Sequence, residues 1–442
     1  MRTTRTTGLV AAVAIMSLTL AACGGDSDGG DDGGDTADEA TEESGTLRLW
    51  HYESADGAMG IAWDEAIAVF EDEHPGVTVE FELKAFEQIQ QTAGMVLSSD
   101  EGPDIMEYNK GNATAGLLSS QGLLTDLTDV AAERGWSDML PESLQTTARY
   151  DERGVMGSGA WYGIPNYGEF VTVYYNKDLF AEHGVEVPTS IEEFEAAMDT
   201  FLAAGVTPLG VAGAEYPAGQ LFYELALSKA DRDFVNAYQM YADDVDFLAD
   251  PLLYGAETFD AWVEAGYVGA DAASLKAEDM GVAFINGTTP MIVSGSWWYG
   301  RFVSEISGFD WGIFNFPGND LNAGSSGNLW VVPESSANKE LAYDFIDITM
   351  RPEIQALLGN SGGLPIAANP EDITDPKSQE LITAFNEVLD NDGLAYYPDW
   401  PVPGFYDVLV SAFQSLINQS KAPDEVLTEI EAAYDEGVAN AG

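Results

Sequence analysis

From Thr46 onward the chain alternates between two hydrophobic rhythms. Thr46 to Trp50 (TLRLW) is a short apolar run that reads as a strand, and the loop HYESADG follows it. Trp63, Ile67 and Phe70 then recur at i, i+4 and i+7, the spacing of one helix face. HPG ends that helix. In VTVEFEL, Val77, Val79, Phe81 and Leu83 alternate onto one face of a second strand. A further helix leads to GPDIMEYNKG, where a short apolar segment runs into polar loop residues. This order of strand and helix predicts an α/β layer with parallel pairing, whose ligands bind at strand ends.

Val171 to Tyr175 reads as a buried strand, and helices alternate with short strands up to TTPMIVSG. DWGIFNFPG and NLWVVP give two more strands. A helix over Asn338 to Met350 carries Leu341, Phe345 and Ile348 on one stripe, and Pro352 opens the next helix at its favoured first turn. In SGSWWYGRF a helix beginning after Gly295, with Ser296 as its cap, would place Tyr299, Phe302, Val303 and Ile306 on one buried stripe. Trp298 lies beside Phe302 at i+4, in the core. Trp297 shares its face with Gly300, Arg301 and Ser304, and so points away from the stripe.

The N-terminus has a different pattern. Arg2 and Arg5 precede the apolar run Leu9 to Leu20, which is too short for a spanning helix, and small residues lead into Cys23, the only cysteine. Residues 1–22 read as a secretory signal. LAAC resembles a bacterial lipobox, which implies lipidation of Cys23 and attachment to the membrane through that anchor only. Residues 23–45 contain no large apolar side chain and are rich in Gly, Asp and Glu, the composition of an extended tether. With no second cysteine there is no internal disulfide. The remaining residues exceed what one core usually serves, so two lobes are expected.

The formal net charge of −58, from 75 acidic and 17 basic residues, opposes nucleic acid and anionic lipid headgroups. It reads as a solvated acidic coat. His51, His74 and His183 are the only histidines, with no HExxH motif, no cysteine pair, no GxSxG elbow and no phosphate loop. No metal, cofactor or catalytic residue is assigned. A glycosidase remains open, because carboxylates are plentiful.

PDIM (103–106), YGIP (162–165), YYNKDLF (174–180), GVTPLG, AFINGTTPMIVSGSW and NKELAYDFI occur in this order. Together they resemble the family 1 extracellular solute-binding proteins of sugar ABC importers, the relatives of maltose-binding protein. The resemblance spans everything after the tether. It implies an α/β periplasmic-binding-protein fold of the type II kind, with a ligand cleft between two lobes and multiple hinge crossings. It places lobe 1 at 46–164 and 329–363, and lobe 2 at 165–328 and 364–442. The implied protein is a monomeric receptor that closes on a carbohydrate and is met by the permease subunits of an ABC importer.

The candidate ligand residues follow from the residues and the resemblance together. Trp297 matches the family's aromatic platform, and an indole face suits the C–H face of a pyranose while polar groups fix its hydroxyls. Tyr108, after PDIM, matches another aromatic position, and Asn109 adjoins it; an ordinary loop aromatic is the competing reading. Tyr52 and Glu53 lie in the loop after the first strand. Glu169 matches a sugar-contacting position, and an ionised carboxylate accepts hydroxyl hydrogen bonds well; Asn166 and Tyr167 are nearby. Tyr216 sits where the family places a cleft aromatic, although its usual tryptophan pattern is missing. Gly363 allows close backbone approach, or forms a plain turn. Asp399, Trp400 and Tyr406 lie in a proline-rich loop, Tyr406 matching best.

Several aromatics suggest a di- or oligosaccharide. A cationic or zwitterionic solute such as a quaternary ammonium compound is the alternative, since aromatics and carboxylates form a cage for such a cation. A secreted carbohydrate-active enzyme is a third reading.

Overall fold

A computed structural model describes residues 45–99, 102–140 and 142–441. The signal segment, Cys23 and all of the tether but Gly45 lie outside the described residues. The strands, in chain order, are β1 (Gly45–His51), β2 (Val77–Leu83), β3 (Ile105–Tyr108), β4 (Arg149–Tyr150), β5 (Ala160–Trp161) and β6 (Ile164–Pro165). They continue as β7 (Glu169–Asn176), β8 (Leu209–Gly210), β9 (Met291–Gly295), β10 (Trp311–Phe314), β11 (Gly324–Ser325) and β12 (Leu329–Val331). Gly45, read as tether, is the first residue of β1 and pairs with Val77.

One sheet has the order β2-β1-β3-β12-β6 and a second has β10-β7-β9-β8, with β11 also on β7. The parallel pairs expected from the opening rhythm are present: β1 lies parallel to both β2 and β3. Beyond β3 the pairing turns antiparallel, because β12 returns from far along the chain. The chain leaves the first sheet between β6 and β7 and returns to it between β11 and β12. Gly168 forms an isolated bridge to Leu364, beside the first of these passages.

The helical stripes pack as their spacing requires. Trp63 and Phe70 of the helix Ala58–Glu73 are buried, and Ile67 is half-buried. The Trp63 ring meets Trp330 of β12 edge-on at 5.3 Å, and Trp330 meets Phe345 of the helix Lys339–Thr349 at 5.5 Å. Two helices and the sheet are thereby joined through rings in the favoured edge-to-face arrangement. In the second sheet, Tyr174 of β7 is surrounded by Phe302, Trp311, Tyr299 and Phe284, and its hydroxyl donates to the Gly295 carbonyl at 2.9 Å. Pro352 does open a helix, Pro352–Asn360.

One expectation is refined by the structure and one is corrected. VTVEFEL does form a strand, but its apolar face is not a core face throughout: Phe81 is 37% and Leu83 58% exposed. β2 is the sheet's edge strand, and the cover that buries Val77 does not extend to its far end. The second concerns Ser296, which is not a helix cap. Ser296–Trp298 is a single 3-10 turn capped at Gly295, and the α-helix proper is Tyr299–Glu305. The Ser296 hydroxyl instead accepts from the Phe170 amide, tying the turn to β7. Tyr299 and Phe302 are buried as the stripe requires, while Val303 and Ile306 are only half-buried near the helix end.

Candidate functional site

The loops after β1 and β3, the start of β7, the turn after β9 and the 394–404 segment enclose a cavity of about 290 Å³. Its position beyond the C-terminal ends of β1 and β3 is where an α/β layer presents a site. Nine aromatic side chains line it: Tyr52, Phe86, Tyr167, Tyr216, Trp297, Trp298, Tyr397, Trp400 and Tyr406. Between them stand Glu53, Glu87, Glu169, Glu278, Asp399, Asn109, Asn328, Gln220, Lys110 and Arg301.

The turn at Gly295 sets the aromatic end. A side chain on Gly295 would lie 2.0 Å from the Trp297 ring, so only glycine lets that indole fold back over the end of β9. Trp297 Nε1 donates to the Tyr216 hydroxyl at 3.1 Å, and Trp298 Nε1 donates to the same oxygen at 3.3 Å. Tyr216 therefore fixes both indoles. Trp297 is half-buried with its ring in the cavity, near Tyr216 and Tyr397. Trp298 is buried and stacks on Phe302 at 5.5 Å, yet its edge also reaches the cavity. Trp298→Ala is expected to lower folding stability by about 3–5 kcal/mol, the usual cost of deleting a buried large aromatic. Chemical denaturation checks it, and a loss below about 1 kcal/mol would place Trp298 outside the core.

A polar network forms the floor. Lys110 Nζ pairs with Glu169 Oε1 at 2.5 Å, both side chains being almost fully buried, and donates to Asn328 Oδ1 at 3.2 Å. Asn328 Nδ2 donates to Glu53 Oε1 at 3.2 Å and to the Tyr167 hydroxyl at 2.7 Å. That hydroxyl lies 3.3 Å from both Glu53 Oε1 and Glu169 Oε2, and Ser325 donates to Glu169 at 3.2 Å. Burial, reinforced by the nearby Glu169 charge, pushes the Glu53 carboxyl up to about 7. Burial likewise raises Asp399 to about 6. Tyr406 Oη and Gln220 Oε1 line the cavity, are buried, and have no hydrogen-bond partner among the described residues.

Nine of the twelve residues expected from the sequence line this one cavity: Tyr52, Glu53, Asn109, Glu169, Tyr216, Trp297, Asp399, Trp400 and Tyr406. Three do not. Tyr108 is a buried residue of β3 with its ring in the core, because strand alternation turns it away from the loop that follows. Asn166 is buried, donates to Glu107 at 2.7 Å, and accepts from Gln355 through its backbone carbonyl. Gly363 packs against Leu358 and Ala58, which a side chain there would meet at 2.5 and 3.1 Å. The sequence reading missed Lys110, Asn328, Tyr397, Phe86 and Gln220. NKG after PDIMEY was the available signal for Lys110; a lysine there reads as an ordinary loop residue until its ion pair is visible.

Residues 54–356 match the model of the bacterial extracellular solute-binding protein family. The chain belongs to that family. The diacetylchitobiose binding protein DasA of Streptomyces coelicolor is 24% identical to this solute-binding protein over 98% of both chains. A probable sugar-binding periplasmic protein of Mesorhizobium japonicum is 25% identical over 72% of this chain and 76% of its own. Among solved structures, a chitin oligosaccharide binding protein superposes with a TM-score of 0.75 at 21% identity, covering 90% of this chain and 100% of that one. A raffinose complex of the binding protein RafE gives 0.71 at 19% identity, covering 88% and 99%. The fold is that of the two-lobed periplasmic binding proteins. Among the described residues no helix is long and apolar enough to cross a membrane.

Proposed function

We propose that this solute-binding protein captures a sugar, of two or more rings, and delivers it to an ABC importer. The observation that carries the reading is the composition of the large cavity. Aromatic faces alternate there with carboxylate, amide and hydroxyl groups. Apolar faces of a pyranose stack on such rings while its hydroxyls find fixed acceptors and donors. Tyr406 Oη and Gln220 Oε1, buried without a partner among the described residues, offer hydrogen bonds to ligand hydroxyls. The relatives named above for chitin-derived sugars and raffinose support the same reading.

The lobes are 46–164 with 329–363, and 165–328 with 364–442. Ligand that touches both lobes favours the closed form, and hinge closure of this kind is a known switching mode for which periplasmic binding proteins are a standard example. The protein acts as a binding protein and not as an enzyme, works as a monomer, and is held at the outer face of the cell membrane through lipidated Cys23.

A thermal-shift panel of di- and oligosaccharides tests this, because ligand that binds only the folded chain raises its melting temperature. Trp297→Ala is expected to weaken the binding found by about thirtyfold, equivalent to the ~2 kcal/mol of a buried tryptophan anchor. The variant should otherwise melt near the parent, since Trp297 is not a core ring. An unaltered ligand shift in Trp297→Ala would remove that residue from the site, and saturable binding without cleavage of the sugar separates receptor from enzyme.

A further inference from the structure

We infer that Lys110 is a specificity-determining residue: its ammonium is a resident cation that fills an aromatic and carboxylate cage, so the cleft accepts neutral sugars and rejects those bearing a free amine. The sugar reading supplies the ligand class, but the cage stands on its own geometry.

Lys110 Nζ lies 5.2 Å from the centre of the Trp400 ring and 5.8 Å from that of Tyr397. Glu169 pairs with it directly, and Asn328 accepts at 3.2 Å. Two aromatic faces and a carboxylate around one ammonium are the arrangement by which proteins recognise ligand cations. Here the protein's own side chain occupies that place, with only 2% of it exposed.

The lysine is also held from behind. Its backbone amide bonds the Asn109 side chain at 3.0 Å, and its carbonyl accepts from Thr114 at 2.6 Å. Gly111, next in the chain, has φ +100, and any side chain there would sit 2.7 Å from Trp400. Ala113 N donates to the Trp400 carbonyl at 2.9 Å, so the lysine loop and the cage wall are one assembly. An incoming ammonium would have to displace a pre-positioned cation or sit beside it. Like-charge juxtaposition opposes that. A hydroxyl or an acylated amine meets no such barrier.

Lys110→Ala removes three carbons and the ammonium, the size of n-propylammonium. Melting is measured for the parent and the variant with n-propylammonium and with n-propanol. The expected result is a rise in melting temperature of several degrees for the variant with the amine, none with the alcohol, and none for the parent. Equal effects of amine and alcohol on the variant would overturn the cage. A second arm compares N,N′-diacetylchitobiose with its free-amine form. The parent should bind the acetylated form at least about tenfold more tightly, and Lys110→Met should narrow or invert that ratio. Equal binding of both by the parent would overturn the proposed selectivity. If neither disaccharide binds, the choice of sugar has failed, and the amine arm alone decides on the cage. Should Lys110→Ala fold in neither solution, Lys110→Met, which lacks only the ammonium, replaces it, with ammonium chloride and sodium chloride compared at equal ionic strength: a rise with ammonium alone supports the cage, and equal effects of the two salts overturn it.

Discussion

Glu169→Ala is expected to lower folding stability by about 3 kcal/mol at neutral pH, the lower end of the cost of breaking a buried ion pair. The substitution leaves the Lys110 ammonium buried, with its direct carboxylate gone and Asn328 as its remaining close partner. Two effects compete. An uncompensated buried charge is costly, yet loss of Glu169 also relieves the repulsion that raises Glu53. Glu53, more readily ionised without Glu169 beside it, then offsets part of the lysine's charge by Coulomb attraction, which keeps the cost from the upper end of the range. Chemical denaturation of parent and variant reads the difference. A change below about 1 kcal/mol would mean that the pair adds no net stability. Ligand binding should fall as well, since the same carboxylate faces the cavity.

Folding stability is expected to fall as pH rises from about 6.5 to about 8. Glu53 is raised to about 7 and Glu224 to about 8, and burial with the Glu53 charge holds Glu107 well above the carboxylate range. Glu224 is fully buried, accepting from Asn319 at 2.9 Å and from the Ala323 amide at 2.8 Å. Each of these groups keeps its proton in the folded chain above the pH at which the unfolded chain has released it. Within that window the unfolded state binds fewer protons, so stability declines with rising pH until the folded pKa is passed. At roughly 1.4 kcal/mol per pKa unit, Glu224 alone accounts for about 2 kcal/mol between pH 6.5 and 8. His51 has the opposite sign: burial lowers it to about 4, so its contribution is lost as pH falls below 6.5. Above 6.5 the carboxyls act unopposed, and the mutual repulsion of a chain with net charge −58 acts in the same direction. Melting curves between pH 6.5 and 8.5 check this, and Glu224→Gln should flatten the upper part of the profile. Stability that rises over that window would contradict the assignment of these protons.

Much of the site is legible from the sequence without the fold. Helical spacing separates Trp297 from its neighbours, although the segment begins as a 3-10 turn capped at Gly295. The reading holds because Trp297 still turns away from the Tyr299 and Phe302 stripe. Tyr108 lies outside the cavity: β3 runs two residues past the apolar pair Ile105 and Met106, so Tyr108 is a buried strand residue and not part of the loop that follows. Phe81 and Leu83 show the same limit: alternation reports a face, while the position of a strand within the sheet decides whether that face is covered.

The periodicities by themselves determined an α/β chain; the ordered motifs, through the family they resemble, pointed to the binding-protein kind and to most of the aromatics that line the cavity. These are local or compositional properties, carried by spacing along the chain. Only the tertiary structure brought Lys110, Glu169, Asn328 and Trp400 together across separations of up to 290 positions in sequence, from Lys110 to Trp400. An ion pair and a cation over a ring depend on distances through space, and burial then multiplies their strength. No spacing in the sequence records either.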